Sequence, residues 1–273
     1  MTTTSSTAYS RNLGDELRRL RQRFTGLRGR GLAVQLGWDP SKVSNLEHGK
    51  IRASDVDLAQ YLTACGKDID FFEDFLRRYH NAFDPYLAQK PDEFRTLTMA
   101  EASATRITAY DVLTVNSLLR TPNYDRALQA ATGTTPQPQD ADRQAVLRRP
   151  TRPDCVFYLH EVALRMRPAP TQVMDDQYVW LQANSAILRI VPAEATTAAF
   201  QSPCTLFEFE RANPVVYLES DLAKVFAQDD TAVAKSQALF DLLDAVALDE
   251  TQSRRKLAEY RGPTPLRALA KSQ

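Results

Sequence analysis

The sequence predicts an α+β protein: an N-terminal all-α bundle followed by a mixed α/β domain with a small sheet. Three observations carry this. Residues 12–79 place apolar side chains at helical spacing, four short runs rich in β-branched or aromatic residues lie between 155 and 219, and residues 230–260 return to helical periodicity.

The first helix carries Leu13, Leu17, Leu20 and Phe24 at steps of four, three and four, with arginines on its other faces. The second carries Leu32, Ala33 and Leu36. In the third, "DPSKVSNLEHG", Asp39 is suited to capping, Pro40 to the first position and Gly49 to the left-handed residue past the end. Val43 and Leu46 share its apolar face, and a helix of barely two turns needs neighbours to hold it. Ser54 opens a fourth helix with Leu58, Leu62 and Cys65, closed by Gly66. A fifth, after Asp68 or Asp70, carries Phe71, Phe72, Phe75, Leu76 and Tyr79. "AFDPYLAQKPDEF" breaks the pattern with Pro85 and Pro91 and marks a boundary.

Beyond it, residues 99–119 begin as a helix, "TPNYDRALQAA" is a helix with Pro122 near its start, "TGTTPQPQD" is a loop and "DADRQAVLRR" a short helix. The predicted strands are 155–159, 187–191, 204–209 and 215–219, with a helix near "TQVMDDQYVWLQAN" between the first two. "DTAVAKSQALFDLLDAVAL" and "ETQSRRKLAEY" are helical. The expected organisation is a disordered leader over 1–11, a helical domain over 12–85, a second domain over 86–262 and a tail over 263–273.

Hydrophobic content of 43% in 273 residues supports a sizeable core. The absence of an apolar run of about 18 residues excludes a membrane-spanning helix, and "MTTTSSTAYSRN" lacks the apolar core of a secretory signal. Three widely separated cysteines, Cys65, Cys155 and Cys204, read as reduced and buried, as in a cytoplasmic protein. The net charge of zero conceals an asymmetry: residues 1–52 hold ten Lys and Arg against four acids, so this segment carries +6 and the remainder −6. A basic segment of this kind suits an anionic partner, nucleic acid first.

The second and third helices together carry the functional signal. "GLAVQLGWDPSKVSNLEHGK" joins an apolar pair, a turn glycine at Gly37, Val43 six residues on, and a terminating Gly49. This is helix-turn-helix spacing, in which the second helix presents its N-terminal residues to the major groove of double-stranded DNA. Ser41, Lys42, Ser44 and Asn45 are short or flexible donors and acceptors for base edges, and Arg28, Arg30, Lys50 and Arg52 flank them as phosphate contacts. A Glu beside a helix end ties down a loop more readily than it touches DNA, so Glu47 is assigned to structure.

On these residues, segment 12–65 resembles the XRE-type (lambda-repressor-like) helix-turn-helix family. "EASATRITAYDVLTVNSLLRTPNYDRAL", "FYLHEVALR", "CTLFEFE", "PVVYLES" and "LFDLLDAVALDETQSRRKLAEY" are similar in order and spacing to the large C-terminal domain of an actinobacterial regulator family. That resemblance implies an antitoxin-like or developmental transcription regulator, often with a small partner protein encoded nearby; because a single module binds weakly, a homodimer reading two half-sites is expected, and no cofactor. The sequence departs from the family at "RGRG", where two glycines each cost about 1 kcal/mol of helix propensity against Ala. It departs also at "VNSLLRT" and at Pro40, where relatives carry a polar side chain.

Other chemistry is weakly supported. His48, His80 and His160 are the only histidines and none has metal-ligand spacing. His160-Glu161 reads as a strand-end pair and Asp175-Asp176 as solvated, which leaves no catalytic set and no enzyme. A small-molecule sensor would need an aromatic lining, for which Tyr158, Trp180, Phe207 and Tyr217 are the candidates; core packing is the simpler account of the same residues.

Overall fold

A computed structural model of the chain describes residues 6–133 and 140–261. Five helices come first: α1 (Ala8–Phe24), α2 (Gly29–Leu36), α3 (Pro40–Glu47), α4 (Asp55–Ala64) and α5 (Ile69–His80). They are followed by β1 (Tyr86–Gln89), α6 (Arg95–Ser103), β2 (Arg106–Asp111) and α7 (Pro122–Thr132), then β3 (Asp154–His160), α8 (Glu161–Arg165) and α9 (Thr171–Ala183). The described chain closes with β4 (Leu188–Val191), α10 (Thr196–Ala199), β5 (Cys204–Glu208), β6 (Val215–Glu219), β7 (Lys224–Ala227), α11 (Asp230–Val246) and α12 (Glu250–Tyr260). The fold is α+β, as the sequence predicts.

The described residues divide into two compact units, one of 6–103 with 208–233, the other of 104–207 with 234–261. The expected second domain over 86–262 thus contributes residues to both.

In the first unit, Leu13, Leu17, Leu32, Val43, Leu46, Leu58 and Phe75 are fully buried and form the core of the helical bundle. Strands β1, β7 and β6 lie in that order, all antiparallel, with Tyr86 opposite Ala227 and Val216 opposite the same residue on the other side. Helix α1 is bound to these later elements by polar contacts. The Ala8 N–H donates to Gln228 Oε1 at 2.9 Å, the Thr7 hydroxyl to the Ala82 carbonyl, and Asn12 Nδ2 to Thr96 Oγ1 at 2.9 Å. Glu16 receives Arg78 and Arg95, each at 2.9 Å.

In the second unit the strand order is β5-β2-β3-β4. Strand β3 runs parallel to both β2 and β4, with Tyr110 beside Tyr158 and Leu159 beside Ile190. Leu248 N–H donates to the Ile190 carbonyl and the Ile190 N–H to Ser253 Oγ, so the α11–α12 corner covers the β4 edge.

Several expectations are corrected here. Residues 8–11 are not a disordered leader: Thr7 and Ser10 form a capping box, the Ser10 N–H donating to Thr7 Oγ1 and the Thr7 N–H to Ser10 Oγ, both at 2.9 Å, and Ala8, Tyr9 and Ser10 are buried. Strands β1, β2 and β7 were not expected, so the strands number seven among the described residues rather than four. The short helix expected at "DADRQAVLRR" is present as a 3₁₀ helix over Asp140–Leu147. Most of the loop "TGTTPQPQD" and of the tail lies outside the described residues.

Candidate nucleic-acid interface

Helix α3 is built for presentation. Asp39 accepts the Ser41 N–H at 2.7 Å, Pro40 occupies the first turn, and the chain enters through Gly37 at φ +67°. Val43, Leu46 and Glu47 face inward and are buried, leaving Ser41 and Ser44 exposed and Asn45 half-buried on the opposite face. His48, which the sequence did not single out, extends that face and its Nδ1 lies 2.6 Å from the Ser44 carbonyl.

Helix α3 is tied to α1 and α4. Glu47 accepts two hydrogen bonds from Arg21 of α1, at 2.6 and 2.7 Å, and one from the Tyr61 hydroxyl of α4 at 2.7 Å. The reading of Glu47 as a structural tie agrees with this, although the sequence identified neither partner. Burial raises the Tyr61 hydroxyl well above its ordinary range, and the Glu47 carboxylate raises it further. At the end of the helix, Ser10 Oγ donates to the Gly49 carbonyl at 2.9 Å. A Cβ on Gly14 would come within 2.6 Å of the Glu47 carbonyl oxygen, so α1 and the end of α3 meet backbone to backbone.

The surrounding cations sort into two groups. Arg18 and Arg19 pair with Asp15, Arg21 with Glu47, Lys42 with Asp57 at 2.6 Å, and Arg52 approaches Asp84 at 3.9 Å. Arg52 also lies over the Phe83 ring, and Arg11, whose burial lowers it to about 10, lies over Phe209. Arg28, Arg30 and Lys50 are exposed, with no acid within ion-pair distance among the described residues. Part of the +6 of the first 52 residues is thus carried by Arg28, Arg30 and Lys50, which precede and follow α3 in the chain.

Of the four aromatic residues considered for a small molecule, Tyr217 belongs to the first unit and Tyr158, Trp180 and Phe207 to the second. Tyr217 lies in the first unit against Phe226, while Tyr158 of the second donates its hydroxyl to Asp244 at 2.9 Å and stacks on Phe240. Phe207 is buried and Trp180 is 36% exposed. A pocket of about 70 Å³ in the second unit is lined by Leu147, Arg152, Pro153, Asp154, Cys155 and Ile187, none of the four. Ligand pockets run from about 300 Å³ upward.

His160 caps α8, its Nδ1 accepting the Val162 N–H at 3.2 Å. Burial would raise the Glu161 carboxyl, but the Tyr260 hydroxyl, the Ala193 N–H, Arg165 and Lys256 outweigh it and hold it at about 2. A carboxyl depressed from about 4.5 to about 2 contributes stability that is complete above the unfolded value and lost as pH falls through the folded one. The second unit is expected to lose up to about 3 kcal/mol between pH 4.5 and 2, and Glu161→Gln to flatten that limb in a melting-temperature series. An unchanged acid limb in the variant would remove Glu161 as its source.

No described group of His, Cys, Asp or Glu is arranged to hold a metal ion, and no described helix is long and apolar enough to cross a membrane. The three cysteines are free and buried.

Comparison with known families gives two matches. Residues 12–70 match a helix-turn-helix domain, and residues 94–259 match a family described as a domain of unknown function, DUF5753. No curated protein matches the chain.

Proposed function

Since the chain belongs to the DUF5753 family and carries a helix-turn-helix domain ahead of that match, we propose that it is a cytoplasmic, sequence-specific DNA-binding transcription regulator. The observation that carries this reading is the exposed polar face of α3, which α1 and α4 hold in place and which Arg28, Arg30 and Lys50, without acidic partners among the described residues, flank in the chain. Ser41, Ser44 and Asn45 meet base edges in the major groove, and Arg28, Arg30 and Lys50 meet phosphates, joined by the half-exposed Arg52 when its 3.9 Å approach to Asp84 opens. The bundle α1–α5 is the reading head, and the region matched at 94–259 is regulatory, bringing two copies together and receiving a small partner protein. One α3 reads too few base pairs to select a site, so a homodimer spanning half-sites about 34 Å apart supplies the rest.

The test starts from a duplex selected by the full chain from a random pool. Asn45→Ala is expected to cost about 1–3 kcal/mol on that duplex and much less on random DNA, because a side-chain amide makes paired hydrogen bonds to adenine. Arg30→Ala and Lys50→Ala are expected to weaken binding to every duplex and to reduce the salt slope by about one each. Equal losses on selected and random DNA for Asn45→Ala would move that residue to the backbone, and unchanged slopes for both basic variants would remove this face from the interface.

A further inference from the structure

Lys42 lies among the residues of the α3 face, yet its ammonium is turned sideways onto α4. It sits 2.6 Å from Asp57 Oδ1, and 4.1 Å from the centre of the Trp38 ring, one helical turn before it. Trp38 is itself held, its Nε1 donating to Gln60 Oε1 at 3.1 Å on the same helix as Asp57. The two charged side chains retain only 20% and 15% of their exposure. Asp57 also serves its own helix. Its Oδ2 accepts the Ser54 N–H at 3.3 Å, and its own N–H donates to Ser54 Oγ at 3.2 Å, closing the capping box of α4. The acid is thus fixed in place before it meets the lysine. Arg28, Arg30 and Lys50 have no such restraint.

We propose that Asp57 is a positioning residue that withholds Lys42 from the DNA phosphates. This rests on the DNA-binding reading above. Its consequence is a face that binds all duplexes less tightly than its cations allow. A cation held by a carboxylate neutralises no phosphate, so it displaces none of the counterions condensed on the DNA until the pair opens. Replacing the acid by its neutral amide keeps an oxygen for the Ser54 N–H and frees the ammonium.

Salt titrations with the full chain on a mixed-sequence 24-base-pair duplex test this in a four-member cycle: the parent chain, Asp57→Asn, Lys42→Ala and the double variant. Asp57→Asn is expected to steepen the slope of log affinity against log salt by about 0.9, so that its gain in affinity at 50 mM salt exceeds that at 200 mM by about 3.5-fold. Lys42→Ala alone is expected to leave the slope unchanged, and in the double variant the steepening disappears. Affinity for random DNA and for the selected duplex is expected to rise by about the same factor in Asp57→Asn, as for any phosphate contact.

An unchanged slope in Asp57→Asn overturns the proposal. So does a steepening that survives in the double variant, which would assign the gain to loss of acid repulsion alone, and so does a slope reduced by about one in Lys42→Ala, which would place Lys42 on a phosphate already. The Lys42→Ala measurement stands by itself should Asp57→Asn fail to fold, as a melting curve will show. If the parent chain binds no duplex, the DNA-binding reading fails and takes this one with it, whereas binding with any of the three overturning slopes leaves that reading intact.

Discussion

Gly49→Ala will unfold the helical bundle or leave it at least about 4 kcal/mol less stable, one of the largest effects of any single methyl in this chain. Two costs coincide. The residue has φ +63°, where a side chain costs about 1–2 kcal/mol. Its Cβ would also stand 2.4 Å from the backbone carbon and oxygen of Ser10, atoms of a helix that cannot rotate away. Gly66 provides the control, with φ +69° and nothing near the added methyl, so Gly66→Ala is expected to lose only the conformational part. Trp38 lies in the first unit and Trp180 in the second, so fluorescence of a Trp180→Phe background reports the first alone. Equal midpoints for the two alanine variants in urea would show that the approach of α1 to Gly49 is looser than described.

Glu47→Ala comes next in size, at about 3–5 kcal/mol. Its removal strands the Arg21 guanidinium, whose side chain keeps only 7% of its exposure, and takes one acceptor from the Tyr61 hydroxyl, which retains the Leu17 carbonyl at 3.1 Å. Arg21 also keeps the Leu27 carbonyl at 2.6 Å, but a carbonyl does not neutralise it. Glu47→Gln, which preserves one oxygen, is expected to lose less. Replacing both Arg21 and Glu47 by methionine is expected to cost less than Glu47→Ala, because no buried charge remains unpaired. A double variant as unstable as the sum of the two single ones would show that the pair contributes by shape and not by charge.

The helical bundle was legible in the sequence because its signals are local. Asp39, Ser54 and Asp68 each cap the helix they precede, and Pro40 stands in the first turn. The same rule, applied one step earlier, would have found α1 at its true start, since Thr7 and Ser10 are spaced as a capping box inside a stretch rich in hydroxyls. Strand β2 was hidden for a different reason. Four consecutive residues, Ile107 to Tyr110, are buried, so the alternation that marks a half-exposed strand is absent, and "MAEASA" before it speaks for helix. Strand β1 lies between two prolines that read as a break, and β7 is four residues long and begins with Lys224, a lysine that is fully buried.

In the candidate interface, the exposed face of α3 followed from spacing, whereas the sorting of its cations did not. Nothing local in the sequence distinguishes Lys42 from Lys50; the difference is Asp57, fifteen residues from the first and on another helix. Gly14 was equally silent, since a glycine within a helix signals a close approach only once the neighbour is known.

Strands β6 and β7 belong to the same unit as the helical bundle, and this has a consequence for how the protein is made. When residue 103 leaves the ribosome, β1 has no partner, and Gln228, the acceptor for the first N–H of α1, is not yet synthesised. The missing strands arrive some 130 residues later, which at about 5–20 residues per second is a delay of roughly 7–26 s. Throughout that interval the nascent chain carries six helices beside an unpaired strand edge, while the residues of the second unit emerge between the two halves of the first. Completion of the first unit therefore depends on a segment encoded far downstream of the bundle, and a nascent chain halted between residues 103 and 208 holds every residue of the α3 face without the strand that pairs with β1.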